Sequence, residues 1–157
     1  MSIRSVRRGF AALVLALSVV FVGGVFATAQ HAHAAEPAMT VYKSPWCGCC
    51  AKWVEHMRRH GFAVKVVEME DLEPAKRMFG VAPDLASCHT AGVGGYVIEG
   101  HVPAADVKRL LAEKPAARGL AVPGMPVGSP GMEQGGRKDA YEVILFTGED
   151  REVYARY

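Results

Sequence analysis

Several features are missing from this chain of 157 residues, and each absence closes off a class of function. There is no run of like charge of the kind that makes an acidic or basic binding tail. No internal repeat and no low-complexity tract is present, so no stacked-repeat architecture is indicated. No Ser-His-Asp arrangement, no phosphate loop and no pair of carboxylates set for acid–base work can be picked out. Basic character is also missing once the N-terminus is set aside. The whole chain has 18 basic and 16 acidic side chains, and removing Arg4, Arg7 and Arg8 leaves 15 against 16. No nucleic-acid footprint remains on such a surface.

Those three arginines open a segment with its own logic. An uncharged apolar run follows over residues 9–26, then two small-residue sites, Ala27-Thr28-Ala29 and Ala32-His33-Ala34. Basic, apolar, then A-x-A is the order of a secretory signal peptide. The alternative is a single membrane anchor, but the run is only marginally long enough to span a bilayer and the A-x-A sites point to removal. Arg7-Arg8-Gly9-Phe10 also fits a twin-arginine signal. Residues 1–34 are therefore read as signal peptide and cleavage region, and residues 35–157 as one exported domain with no membrane span after cleavage. That length is enough for a hydrophobic core of its own.

Only four cysteines occur, at 47, 49, 50 and 88, all in the mature part. Before them, residues 39–43 form a short strand that Ser44-Pro45-Trp46 breaks. From Cys47 the period changes. Cys50, Trp53, Val54 and Met57 fall on one helical face, with Lys52, Glu55, His56, Arg58 and Arg59 opposite and Gly61 as the stop. A valine-rich second strand covers 63–69. Asp71 caps a helix over 72–79 that Gly80 closes. A loop with Pro83 and Cys88-His89 comes next. Residues 96–98 and 101–102, on either side of Glu99-Gly100, read as a tight hairpin. Pro103 starts a third helix with Val107, Leu110 and Leu111 inward, and Pro115 ends it. Residues 119–136 are irregular, and 141–146 with 151–156 make a closing hairpin. Strand, helix, strand, helix, hairpin, helix is the order of a thioredoxin-like α/β fold, a small mixed sheet flanked by helices, here with an extra C-terminal loop and hairpin.

The cysteine cluster lies where such folds keep a redox motif, at the start of the first helix. Unpaired N–H groups and the helix dipole favour thiolate there, with cysteine pKa values falling to about 3.5–7.5. Cys47 and Cys50 have the C-x-x-C redox spacing. Cys49 departs from it. A third thiol inside the pair competes as a resolving nucleophile in a dithiol catalyst, yet adds a ligand to a metal site. Cys88 falls on the loop expected to face the cluster. Four thiolates suit Cu(I), Zn(II) or an iron–sulfur cluster. The alternative is disulfides, Cys47–Cys50 with Cys49–Cys88, although Cys49 and Cys50 are too close in sequence to pair with each other without strain. His89 can ligate the same ion or bond to backbone or water. His56 and His60 share i, i+4 spacing but lie on the solvated face, and His31 and His33 leave with the signal or sit on a short tether of small and polar residues over about 30–38. Met125 and Met132 are soft thioethers in a Pro/Gly-rich loop, where packing is the simpler role. Met39, Met57, Met69, Met78 and Trp53 are expected in the core, and Trp46 as a lid over the cluster.

Residues 43–50 (Lys-Ser-Pro-Trp-Cys-Gly-Cys-Cys), Cys88-His89-Thr90, 94–103 (Gly-Gly-Tyr-Val-Ile-Glu-Gly-His-Val-Pro) and 124–133 (Gly-Met-Pro-Val-Gly-Ser-Pro-Gly-Met-Glu) together resemble the exported copper-resistance family called CopG, which is distinct from the ribbon-helix-helix repressor of that name. The resemblance covers nearly all of the mature chain. It implies a thioredoxin-like fold, a periplasmic location and the company of copper-efflux components. It also implies a polynuclear copper–thiolate cluster on the cysteines of the C-x-C-C and C-H motifs, here Cys47, Cys49, Cys50 and Cys88. From residues and resemblance together, the candidate metal ligands are Cys47, Cys49, Cys50, Cys88 and His89, with copper the expected ion, held mainly as Cu(I) and open to Cu(I)/Cu(II) redox chemistry. The rival expectation is a thiol–disulfide oxidoreductase using Cys47 and Cys50.

Overall fold

A computed structural model of the protein describes residues 37–157, and the expected signal and cleavage region, with His31 and His33, lies outside them. The described elements are β1 (Ala38–Lys43), α1 (Gly48–Arg59), β2 (Ala63–Glu68), α2 (Glu73–Phe79), β3 (His89–Val93), β4 (Tyr96–Glu99), α3 (Ala104–Glu113), β5 (Gly119–Ala121), β6 (Glu142–Phe146) and β7 (Arg151–Arg156). A 3-10 turn over Pro83–Leu85 precedes β3. The strands form one sheet in the order β2-β1-β3-β4-β5-β6-β7. β1 runs parallel to β2 and antiparallel to β3. This is the small mixed sheet with flanking helices expected of a thioredoxin-like α/β chain, widened by β5 and the closing β6–β7 hairpin. No helix among the described residues is long and apolar enough to cross a membrane.

Period-two alternation in the strands assigns the helices to faces. Met39 and Val41 of β1, Ile98 of β4, Leu120 of β5 and Val143 of β6 share a core with Trp53, Val54 and Met57 of α1 and with Val107 and Leu110 of α3. Val97 and Ala121, neighbours in sequence of Ile98 and Leu120, turn to the other face and with Phe146 of β6 meet Leu85 and the end of α2 at Phe79. Tyr42 joins them there, its ring 5.5 Å from that of Phe79. Helices α1 and α3 thus cover one face and α2 the other. Each large apolar side chain fully buried in this way contributes about 1.5–3 kcal/mol. Trp53 also donates its indole N–H to the Val102 carbonyl at 2.9 Å, which ties α1 to the entry of α3.

Local chemistry sets the helix ends. The Asp71 carboxylate accepts the Glu73 N–H at 2.9 Å, and Gly80 closes α2 in the left-handed conformation. Both devices agree with the sequence reading. Three expectations are corrected. The hairpin between β3 and β4 turns at Gly94-Gly95, both at positive φ, and not at Glu99-Gly100. A two-residue turn with positive φ at both positions matches the twist of antiparallel strands, and glycine is the residue that adopts it freely. Residues 119–121 of the segment read as irregular form β5, between β4 and β6. Met78 is exposed rather than in the core, because the short α2 turns Ala75 and Phe79 toward the sheet instead; Met69 is half-buried.

His56 is only half solvated, against expectation. Its Nε2 accepts the Ala104 N–H at 3.1 Å, so a side chain of α1 caps α3, whose own N-cap residue is Pro103 and offers no side-chain acceptor. Burial first, then the charges of His60 and Arg59, lower the His56 pKa from 6.5 to about 4. The unfolded chain therefore binds this proton at a higher pH than the folded one. The stabilisation is complete above about pH 6.5 and is lost as pH falls through about 4. Urea titrations at pH 7 and pH 5 should show a larger loss for the unaltered protein than for His56→Gln, which keeps an acceptor that does not titrate. Equal losses would mean that His56 is not the titrating cap. At pH 7, His56→Ala should cost about 1 kcal/mol, the usual worth of an N-cap.

Candidate metal centre

β1 delivers the chain to Ser44-Pro45-Trp46, and Cys47 then takes the N-cap position of α1 with extended backbone angles. Its sulfur accepts the Cys50 N–H at 3.3 Å. Cys50 is fully buried in the first helical turn, while Cys47 and Cys49 are half-buried. β3 runs back beside β1 with His89 opposite Lys43. Cys88, the residue before β3, therefore arrives at the same sheet end as the start of α1. The sulfurs of Cys47 and Cys49 are 3.4 Å apart, those of Cys49 and Cys88 4.0 Å apart. All four cysteine sulfurs lie within 4.8 Å of one another. Two thiolates bound to one tetrahedral ion at bonds near 2.3 Å sit about 3.8 Å apart. These two separations bracket that value, but Cys47 and Cys50 are bonded to each other, so the four sulfurs could take a shared soft ion only with that bond opened.

Cys47 and Cys50 are joined as a disulfide, and Cys49 and Cys88 are free thiols. The first half of the disulfide alternative is thus present and the second half is not. Cys49 does not obstruct the C-x-x-C pairing, because it points to Cys88 across the gap. Two electrons and two protons delivered to the Cys47–Cys50 bond yield four thiols around one point. Burial, with Cys49 adding to it, pushes the Cys88 thiol pKa up to about 12. Without metal, Cys88 is therefore neutral at ordinary pH and must give up a proton to any ion that binds it.

His89, expected beside the cluster, is fully buried against Trp53, with ring centroids 4.3 Å apart. Its Nδ1 is 3.4 Å from the Cys88 sulfur, and its Nε2 has no hydrogen-bond partner. A second histidine that sequence reading missed completes the surroundings. His101, also fully buried, places Nε2 3.0 Å from the Cys88 sulfur and donates Nδ1–H to the Pro130 carbonyl at 2.8 Å. Burial holds both imidazoles below the ordinary histidine pKa, His89 far below it. The one signal for His101 was its place in the segment 94–103, where the sequence reading expects a hairpin arm and the structure has the bend between β4 and α3. Trp46, expected as a lid, is 75 % exposed and covers nothing. Met125 is exposed and Met132 half-buried in the 124–133 loop.

The loop that carries Cys88 is anchored by buried charge. Glu99 is fully buried and its carboxylate accepts from Lys76 Nζ, from the Ser87 N–H at 2.6 Å and from the Thr90 hydroxyl at 2.6 Å. Lys76 comes from α2, Thr90 from β3 and Ser87 directly precedes Cys88. The Ser87 hydroxyl in turn donates to the Gly124 carbonyl, at the start of the 124–133 loop. Burial raises the Glu99 pKa, and the bonds from Lys76 and Thr90 work against that rise.

The family model described as "Protein of unknown function, DUF411" matches residues 85–132, which include Cys88, His89, His101 and the 124–133 loop. Two solved structures are similar over most of the chain. One, of the copper resistance protein CopG in its Form 2, is 44% identical, covering 77% of this chain and 98% of that chain with a TM-score of 0.73. The other, its Form 1, is 45% identical, covering 78% and 98% with a TM-score of 0.73. No curated protein matches the chain significantly.

Removing one member of a buried ion pair leaves the other charge without compensation, at a cost of about 3–5 kcal/mol, whereas replacing both by apolar groups is often near neutral. Lys76→Met should therefore destabilise the protein by about that amount in urea titrations, and adding Glu99→Leu should recover much of the loss. A Lys76→Met loss below about 1 kcal/mol would show that the pair does not anchor the Cys88 loop.

Proposed function

This chain belongs to the CopG family of copper resistance proteins, and on that premise we propose that it is a periplasmic copper-binding protein serving copper tolerance. In this reading Cys47, Cys49, Cys50 and Cys88, once reduced, hold copper mainly as Cu(I) in a polynuclear thiolate cluster, with His89 as an adjoining nitrogen ligand. The supporting observation is the convergence of all four sulfurs within 4.8 Å, with Cys88 brought to Cys49 from 39 residues away on the loop before β3. A plain dithiol catalyst needs neither Cys49 nor Cys88. Soft thiolates select Cu(I), and a bridged cluster can exchange electrons, so we extend the reading to interconversion of Cu(I) and Cu(II). Copper-efflux components are the partners that such a carrier would serve. Residues 1–34, read as the export signal, supply the route to the periplasm.

One observation favours a second reading. Cys47 and Cys50 form a C-x-x-C disulfide at a helix N-terminus, the arrangement of a thiol–disulfide oxidoreductase. Cys49→Ser separates the two. A copper centre loses a ligand and a bridge, so Cu(I) bound per chain to reduced protein should fall and copper tolerance in cells should weaken. A disulfide catalyst keeps its pair, loses a competing thiol and should reduce insulin at least as fast. Unchanged Cu(I) stoichiometry together with strong reductase activity would decide for the second reading.

The Cys88 proton gives the copper reading a pH signature. Each thiol that is protonated without metal must release its proton on binding. Apparent Cu(I) affinity should rise with pH between 6 and 8 by about tenfold per unit for each proton released. Competition titrations with a chromogenic Cu(I) chelator measure this slope. A flat profile would mean that Cys88 is not a ligand.

A further inference from the structure

One buried charge lies beneath the cysteine-bearing helix. Lys43 closes β1, and the burial alternation of that strand puts its side chain on the face of Met39 and Val41, the face that α1 covers. It is 4 % exposed. A lysine is almost never buried so far unless its charge is met. Its Nζ donates to the Ser44 carbonyl at 2.9 Å and to the Glu68 carboxylate at 3.2 Å. The Glu68 side chain is 57 % exposed, so water weakens that pair while the ammonium itself stays out of water. The positive charge is therefore only partly compensated.

This charge is tied to the start of α1. The Ser44 carbonyl that takes Lys43 also accepts the Cys47 N–H at 3.1 Å, so the ammonium and the N-cap residue share one acceptor. Lys43 also lines a cavity of about 210 Å³ with Ala51, the residue after Cys50, and with Glu55 and Arg58 of α1 and Glu68 of β2. Glu55 faces Arg59 instead, at 3.8 Å, and Arg58 donates to the Val64 carbonyl at 3.2 Å. Across the sheet, Lys43 stands opposite His89. Burial, His101 and Lys76 lower the His89 pKa and Lys43 adds to them, so its charge is felt at β3 as well.

Opening the Cys47–Cys50 bond changes the charge that this field meets. Two glutathione thiols open it in two exchange steps. The first forms a mixed disulfide and frees one cysteine sulfur, and the second forms glutathione disulfide and frees the other. Two electrons and two protons pass to the protein, and a sulfur that settles as thiolate gives its proton to solvent. A sulfur freed at a helix N-terminus beside a lysine is favoured as thiolate, whereas the disulfide carries no charge. A buried cation close by therefore favours the open form over the closed one.

We propose that Lys43 is a positioning residue of the Cys47–Cys50 couple: held on the Ser44 carbonyl beneath the first turn of α1, its ammonium favours the opened pair and raises the potential at which the disulfide is reduced. Glu68 moderates that field from the surface. The inference goes beyond the proposed function, because it concerns how readily the bond opens and not what the freed sulfurs hold. In the copper reading, Lys43 sets the reducing conditions under which all four sulfurs become free.

Equilibration of the metal-free protein with reduced and oxidised glutathione at pH 7 tests this. Differential alkylation read by tandem mass spectrometry reports the state of Cys47 and Cys50 in the presence of Cys49 and Cys88. Lys43→Met should shift the equilibrium about tenfold toward the disulfide, which lowers the potential of a two-electron couple by about 30 mV. Glu68→Gln separates charge from bracing. If the ion pair only braces β1 against β2, loss of either partner acts in the same direction. If the charge acts, loss of Glu68 leaves Lys43 less compensated, and the potential stays at or above that of the unaltered protein. A Lys43→Met equilibrium within about twofold of the unaltered protein, or a Glu68→Gln shift toward the disulfide, would each overturn the proposal. Cu(I) stoichiometry of the fully reduced protein is a separate measurement. Its failure would remove the thiolate-cluster reading and leave the potential shifts standing on their own.

Discussion

The antiparallel register of β1 and β3, with Lys43 opposite His89, is the constraint on which the rest of the site depends. It is fixed from within the core, where Met39 meets Val93 and Val41 meets Ala91, all four buried. A slip of one residue would turn these side chains to the wrong face. Because the register holds, the chain leaving β1 toward α1 and the chain entering β3 from the Cys88 loop pass the same sheet end. Three cysteines on one side and one on the other then converge without any long-range interaction among themselves. The sulfurs are brought together by apolar burial elsewhere.

Around that point the protein assembles an unusual amount of buried polarity. Lys76 and Glu99 are buried as a hydrogen-bonded pair, and two fully buried histidines have their pKa values lowered by that burial. Buried ions and amphoteric rings are costly unless every donor and acceptor is met. Glu99 meets that condition through Lys76, Ser87 and Thr90. His101 meets it through Pro130 and Cys88. His89 does not. Among the described residues, His89 Nε2 is the buried side-chain polar atom left without a hydrogen-bond partner.

The disulfide and the metal centre are alternatives in the same space. Joining Cys47 to Cys50 withdraws two of the four sulfurs from coordination and leaves Cys49 and Cys88 facing each other. Opening it restores the set. In the copper reading proposed above, capacity at the all-sulfur set would therefore follow thiol redox state by simple ligand count.

Much of this could be read from residues alone, and the reasons are local. The helical face Cys50, Trp53, Val54, Met57, the Asp71 and Gly80 ends of α2 and the closing hairpin are short-range patterns, and the structure carries each of them. The presence of three thiols within four residues is likewise a fact of sequence, and with Cys88 it pointed to soft-metal chemistry. What stayed hidden was set by pairing and burial at a distance. The Gly94-Gly95 turn competed with Glu99-Gly100 as a hairpin signal, and only strand pairing decides between them. Trp46 reads as a lid over the cluster and Met78 as core, but both are exposed, and the direction of such side chains is set by elements far along the chain. The partnership of Lys76 with Glu99, and of His101 with Cys88 and Pro130, joins residues 13 to 29 positions apart that carry no shared local pattern. By itself the sequence determined which candidate ligands the protein owns and the helix start at which three of the thiols sit. Which of them face one another, and which imidazoles join them, was decided by the tertiary structure, because coordination depends on separations of a few ångströms that only the packed sheet and its loops define.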